Sequence, residues 1–410
     1  DGSFEGETVW NPMLPSQTMI AMAVMGRDVG DARRARFRRQ LEVTRLPEHS
    51  DAEPPTRSGV GEGPRLGLRP SEEGSASDPG GCWGMHVHGE TSLFVTTLSY
   101  VAARLQGIAA DDPLLAGARR LFEREDVLAI PTWGKIWLSI AGCYQWEGVN
   151  AVPPEAWLLP KRFPLHPANY YCHTRLIYMG MASVFGRKLS IDTEGPLGET
   201  VRAIREELYP GRDFASLDFR GARHRLREGD LWEAPNKSLV ALYEAVNVFE
   251  KVHPGGLRQR VLDSFIEPMK FEIRTTDGTC LSPVNGLLFM LSLWDHDPSD
   301  PDLQRQLERF EGWVWEDEDE GFRVAGARSA TWDSAFALQA LTVAAEQTGE
   351  RSIREAVAFG LRWLDEALAR LPLGLAVPYG RFRDTHLAHH HDPNLTDPYD
   401  DPESFYLDPA

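Results

Sequence analysis

The chain has 410 residues, 42% of them hydrophobic, enough for a sizeable core in one large domain or in two or three smaller ones. A formal net charge of −18 argues against a nucleic-acid partner. Cys82, Cys143, Cys172 and Cys280 lack metal-type spacing and read as reduced thiols, and no apolar run of about 20 residues is present to span a bilayer.

Residues 13–25 read as a mostly apolar helix. RFRRQLEVTRLPE follows and points toward GGCWG, but residues 49–80 intervene. That segment is Pro, Gly, Ser and charge with almost no large apolar residue. It cannot bury enough surface to offset its ordering entropy, which predicts a disordered surface insertion. Leu93, Thr97, Tyr100, Val101 and Leu105 then fall at three-to-four spacing, and Gly107 ends the helix they predict. A more polar helix is predicted over 114–125. Residues 133–144 and 172–185 are apolar nearly all round, which implies burial or membrane contact; the run 176–185 is expected to form an exposed patch. Further helices are predicted over 196–208, 237–252, 257–265, 283–294, 303–310, 332–347 and 353–368. The acidic run Glu316–Glu320 reads as a solvated loop. Period-two alternation is nearly absent, so few strands are expected. Short helices joined by Pro- and Gly-bearing loops fit an all-α chain of helical hairpins closing into an α/α barrel. The tail, 376–410, is polar and proline-rich. Its His386, His389, His390, His391 and Asp392 match metal ligands by residue type, but in such a tail they read as incidental.

The densest chemistry lies in PTWGKIWLSIAGCYQWEGVNAVPPEAWLLPKRFPLHPANYYCHTRLIYMGMASVFGR, residues 131–187. Nine aromatics fall between Trp133 and Tyr178, among them four of the twelve tryptophans. A Trp indole N–H wants a partner, so this is an expensive composition for an ordinary core. A wall of rings with a few polar groups suits a large apolar cavity, and ring faces stabilise positive charge that develops there.

These motifs carry a resemblance. PTWGKIWLSIAGCYQWEG, PEAWLLP, HP and YYCHTRLIYMGM resemble the triterpene cyclases, most of all the oxidosqualene cyclases that make sterol skeletons. GCWGMHVHGETSLFVTTLSYVAARLQG with DDP, ELYPGRDFASLDF and ATWDSAFALQAL resemble further blocks of that family. The opening D-G-S-F resembles the tail of the family's QW repeat, whose Gln half is expected upstream. In the second repeat, Arg45 stands where the motif has Gln. On this resemblance residues 1–48 and 81–375 are expected to belong to one cyclase barrel interrupted by 49–80, with 376–410 leading toward an acid motif, D-C-T-A-E, beyond residue 410.

The resemblance implies cyclisation of 2,3-oxidosqualene through carbocations. It implies no cofactor, no metal and a monotopic seat on the cytoplasmic or endoplasmic-reticulum face of an intracellular membrane. His173, in Y-C-H-T-R, matches a His near the catalytic Asp; by itself it reads as a hydrogen-bonded core residue. Tyr178 matches a Tyr that pairs with that His and lines the site; by itself it reads as a packed core Tyr. It follows His173 by about a turn and a half, so the two do not stack directly. Trp133 and Trp332 match cavity-lining rings, and Pro283 and Val284 match an apolar lining pair. Tyr171 and Ile177 are substrate-binding candidates in the same motif as His173. Thr174 stands where the sterol cyclases usually carry a gate Cys, and Thr8 where many carry Tyr. Trp137, Trp146, Trp157, Trp294 and Trp363 read as core. Asp333 opens a helix and reads as structural. The alternatives are a squalene-hopene cyclase, which protonates an alkene, and a non-catalytic lipid-binding remnant lacking the acid. Zinc prenyltransferases and α/α-barrel glycosidases share the architecture, but neither a Cys/His/Asp zinc set nor a pair of acids in a polar cleft is apparent.

Overall fold

The computed structural model describes residues 3–4, 6, 11–47, 80–87, 89–163, 166–231, 234–327 and 330–370. Thr8, the segment 49–79 and the tail from 371 lie outside the described residues, and so do the expectations placed on them. The chain is mostly helical and divides into two compact units, 9–326 and 1–8 with 327–410.

The larger unit begins with α1 (Met13–Val24) and α2 (Asp31–Thr44), followed by α3 (Leu93–Leu105), α4 (Ala116–Arg124), α5 (Thr132–Ile140) and α6 (Cys172–Arg187). It continues with α7 (Gly198–Leu208), α8 (Lys237–Glu250), α9 (Gly255–Thr275), α10 (Pro283–His296) and α11 (Pro301–Arg309). A two-stranded antiparallel hairpin, β1 (Val314–Asp317) and β2 (Gly321–Val324), closes it. Its core is α1, α3 and α10, each buried over most of its length, with α1 packed on α3 and α10, and α10 on α6. Near-uniform apolarity predicted burial or membrane contact for α5 and α6; α5 is buried over most of its length, and α6 mainly in its second half.

Two local devices join distant segments. Trp83 is fully buried, and its indole N–H donates to Leu41 O at 2.8 Å, tying the chain ahead of α3 to the end of α2. The Lys135 ammonium, also fully buried, donates to the carbonyls of Ala222, Arg223 and Arg225 at 2.9, 2.8 and 3.2 Å. Its three N–H donors therefore all have acceptors, as a buried ammonium needs.

Three expectations are corrected. The acidic run is not a solvated loop along its whole length. Glu316 lies in β1 and takes Arg33 at 2.6 Å and Arg36 at 3.3 Å, both from α2. Gly321, at φ 82°, permits this docking, because a Cβ there would fall onto Arg36 O and Gln40 N. The helix predicted over 257–265 runs on to Thr275 through Pro268. Burial of Met269, Glu272 and Ile273 beyond the proline holds it, tertiary packing outweighing one lost backbone bond. Finally, the run 176–185 is not an exposed patch: Met179, Gly180 and Ala182 to Phe185 are buried. Exposed apolar residues among the described ones include Leu239, Leu242, Val248 and Phe249 on α8, whose one buried residue is Asn247, and Val252 just beyond it.

The smaller unit is a helical hairpin, α12 (Ala330–Thr348) and α13 (Arg351–Arg370), turning at Gly349 with φ 71°. Gly6 N–H donates to Asp333 Oδ2 and Phe4 N–H to Ser334 Oγ, both at 2.8 Å. Asp333 thus has the structural role read from its position in the first turn of α12.

Candidate active site

The site is built on the first half of α6. The chain enters through a short 3-10 turn, Pro167–Asn169, and Tyr171 takes the cap position with extended backbone. Residues 172–178 then coil once and a half, which sends His173 and Tyr178 to different neighbours. His173 Nδ1 lies 3.3 Å from Cys172 Sγ, and its ring stacks on Tyr171 at 5.4 Å and 13°. Burial lowers the imidazole's pKa below its ordinary value, so it is neutral near pH 7. Tyr178 stacks on Trp157 at 5.4 Å and 22° and meets Tyr170 edge-on at 5.6 Å. Burial, with Tyr170 and Tyr243 adding to it, pushes the Tyr178 phenol well above its ordinary value. No hydrogen bond or ring contact joins His173 to Tyr178 among the described residues.

Trp157 extends the cluster. It sits in a 3-10 turn, Pro154–Leu158, and its other edge meets Phe265 of α9 at 4.7 Å and 62°. A ring read from sequence as core is therefore the direct support of Tyr178. Phe265 carried no sequence signal, because only tertiary packing brings α9 here. Tyr170 carried one, as the neighbour of Tyr171 in the YYCHTR motif.

The remaining candidates are placed as follows. Trp133, at the start of α5, is partly buried against the core and meets Trp137 edge-on at 6.1 Å. Gly134 beside it is needed for close packing of α3, since a Cβ there would come within 2.7 Å of the Phe94 ring. Ile177 and Val284 are partly buried against the core, Pro283 is buried, and Tyr171 and Thr174 are exposed. A capping box, Ser282 with Asn285, starts α10. Glu272 accepts from Leu281 N–H at 2.8 Å and Asn285 Nδ2 at 2.9 Å, so the turn carrying Pro283 and Val284 is held from α9. Burial raises the Glu272 carboxyl above its ordinary value. Trp332 lies on α12 and tilts against Phe336 at 5.5 Å.

A separate cavity of about 540 Å³ lies in the loop after α7, lined by Leu128, Arg212, Asp213, Leu217, Asp218 and Arg225 among others. It is polar, and none of the sequence-predicted residues lines it. Among the described residues no three His, Cys, Asp or Glu side chains come together to hold a metal ion, and no helix is long and apolar enough to cross a membrane.

Comparison with known proteins agrees with the motifs. The family model of the squalene-hopene cyclase N-terminal domain matches residues 74–319. Human lanosterol synthase is 35% identical over 266 residues, 64% of this chain and 36% of the human protein. Cycloartenol synthase of Dictyostelium discoideum is 32% identical over 262 residues, 63% of this chain and 36% of that protein. Lanosterol synthase of Saccharomyces cerevisiae is 33% identical over 272 residues, 64% of this chain and 36% of that protein. The chain thus spans about a third of the length of the curated relatives it matches.

Proposed function

The chain belongs to the squalene-hopene cyclase N-terminal domain family, and we propose that it is part of a triterpene cyclase converting 2,3-oxidosqualene to a polycyclic, sterol-type skeleton. The observation that carries this reading is the ring cluster of Tyr170, Trp157, Phe265 and Tyr178, built on the same helix, α6, that carries His173. An acid protonates the epoxide oxygen, its C–O bond opens, and the folded polyene closes ring by ring. Positive charge moves along the carbon chain, and each ring face within reach lowers its energy by roughly 0.5–2 kcal/mol. Trp133, Ile177, Tyr171, Thr174, Pro283 and Val284 are proposed to line the same apolar space. Trp332 and Thr8 carry the role that the resemblance alone assigns them.

His173 and Tyr178 orient and stabilise; neutral imidazole and phenol are poor acids for opening an epoxide. The carboxylates of Glu155, buried, and Glu250, partly buried, are both held by Arg258. The donor in this reading is a carboxyl elsewhere in the protein. The helical fold fits an α/α toroid, with α6, α9 and α10 as part of its inner wall.

The substrate is a long hydrocarbon, and the exposed apolar residues Val248, Phe249 and Val252 at the end of α8 suit a monotopic seat on an intracellular membrane. The deciding experiment gives the full-length protein squalene and 2,3-oxidosqualene in separate assays. Cyclisation of the epoxide is expected. Conversion of squalene alone would move the reading to a squalene-hopene cyclase, and conversion of neither to a lipid-binding protein.

A further inference from the structure

Tyr178 owes its position to Trp157, but the turn that bears Trp157 is weak. It is a five-residue 3-10 segment, a form with poor hydrogen-bond geometry, and Leu158 at its end and Leu159 just beyond it are exposed. Something else must hold the ring. Two residues before Trp157, the Glu155 carboxylate receives Arg258 in a fork, Nε to Oε1 at 2.8 Å and Nη2 to Oε2 at 3.0 Å. Arg258 is 5% exposed and Glu155 8%. A buried charge persists only when paired, so this contact is not an incidental surface bridge.

The same helix supplies the second grip. Arg258 and Phe265 are seven residues apart on α9, close to two turns, so the guanidinium and the ring share a face. That face meets Glu155 and Trp157 together. The outer edge of Arg258 is occupied by Glu250, with Nη1 to Oε1 and Nη2 to Oε2 both at 2.7 Å. Lys188, at the end of α6, bonds Glu250 at 3.0 Å. Behind the turn there is no slack, since a Cβ on Gly186 would lie 3.1 Å from Pro154 and 3.0 Å from Leu262.

We propose that Arg258 and Glu155 form a positioning clamp that holds the Trp157 ring flat against Tyr178 and thereby sets the shape of the cavity wall. The inference rests on the reading of Tyr178 as part of a cyclisation site. Neither residue touches substrate; both act through Trp157. Lysine cannot replace Arg258, because a point charge cannot bind both carboxylate oxygens in one plane.

The test uses the full-length protein with Glu155→Gln and Arg258→Lys, each alone and combined with Trp157→Leu. Each single change is expected to lower kcat/KM for oxidosqualene by about ten-fold and to raise the share of incompletely cyclised products, as a displaced wall would. In the Trp157→Leu background, where nothing is left to position, the same changes should have little further effect on the product ratio. Full multiplication of the effects in that background, or an unchanged product ratio in both single variants, overturns the clamp. A second readout needs no activity: fluorotyrosine at Tyr178 should change its fluorine resonance in Glu155→Gln and Arg258→Lys but not in Glu42→Gln on α2, and a resonance unmoved by the first two also overturns it. Failure of the wild type to cyclise oxidosqualene would sink the functional reading and leave the fluorine result to decide the clamp.

Discussion

At the residue scale, the chain buries charge only where it also supplies partners. Lys135 shows the cost: burial, with Arg225 and Arg223 nearby, pushes its pKa down to about 7. Its three carbonyl acceptors favour the ammonium form and work against that shift. Glu250 is the opposite case. Burial disfavours its charge, but hydrogen bonding from Arg258 and the charge of Lys188 outweigh burial and lower the carboxyl below 4.5. A carboxyl depressed in the folded state binds its proton more readily when unfolded. Its stabilisation is therefore complete above 4.5 and is lost as pH falls below that value through the folded pKa. Urea unfolding near neutral pH should find Glu250→Gln less stable than wild type by about 2 kcal/mol. The gap should narrow as the solution is acidified below the ordinary carboxyl value. A gap that stays constant with pH would show that Glu250 contributes packing and not charge.

At the element scale, α6 packs closely on α10 where it carries glycine at position 180. A Cβ at Gly180 would lie 2.6 Å from Leu288 Cβ, so α6 and α10 touch closely at that point. The contact sits between the half of α6 that carries the candidate residues and the half that is mostly buried. Gly180→Ala should push the helices apart and cost about 1–3 kcal/mol by overpacking, despite the better helix propensity of alanine. Thermal unfolding reads this directly; an unchanged or raised Tm would mean that Leu288 yields without cost. Much at this scale was legible beforehand. α1, α3 and α10 lie within a few residues of where apolar spacing places them. α2 was not marked, because DARRARFRRQ is dense in charge and only Phe37, Gln40 and Leu41 of the helix are buried. Two of its arginines, Arg33 and Arg36, pair with Glu311, Glu316 and Glu318, far along the chain.

At the scale of the whole molecule, apolar surface is unevenly distributed. α8 is anchored mainly at its C-terminal end, where Asn247 accepts Ala151 N–H at 3.0 Å and Glu250 joins the ion network. Its outer residues Val248 and Phe249 are 57% and 37% exposed, and Val252 just beyond is 73% exposed. Full-length protein floated with liposomes should rise with the lipid, and Val248→Asp with Val252→Asp should leave more of it at the bottom of the gradient. Each charge placed in an apolar interface forfeits roughly 2–3 kcal/mol of membrane affinity. Unchanged flotation of the double variant would place the membrane surface elsewhere.

The sequence by itself determined the helical class, most helix positions and the family, because those depend on local periodicity and on motifs contiguous in the chain. It also marked His173, Tyr178 and Trp133, since the ring-rich stretch that carries them is continuous. Tertiary structure alone decided which rings meet. Trp157 reads as core until α9 brings Phe265 and Arg258 against its turn, and nothing in the sequence marks Arg258, Glu155 and Glu250 as one ion network. It also covered most of the run 176–185 and left apolar residues of α8 exposed. Apolar composition says that a segment will seek cover, but whether cover is present depends on neighbours remote in sequence, as Leu288 is for Gly180.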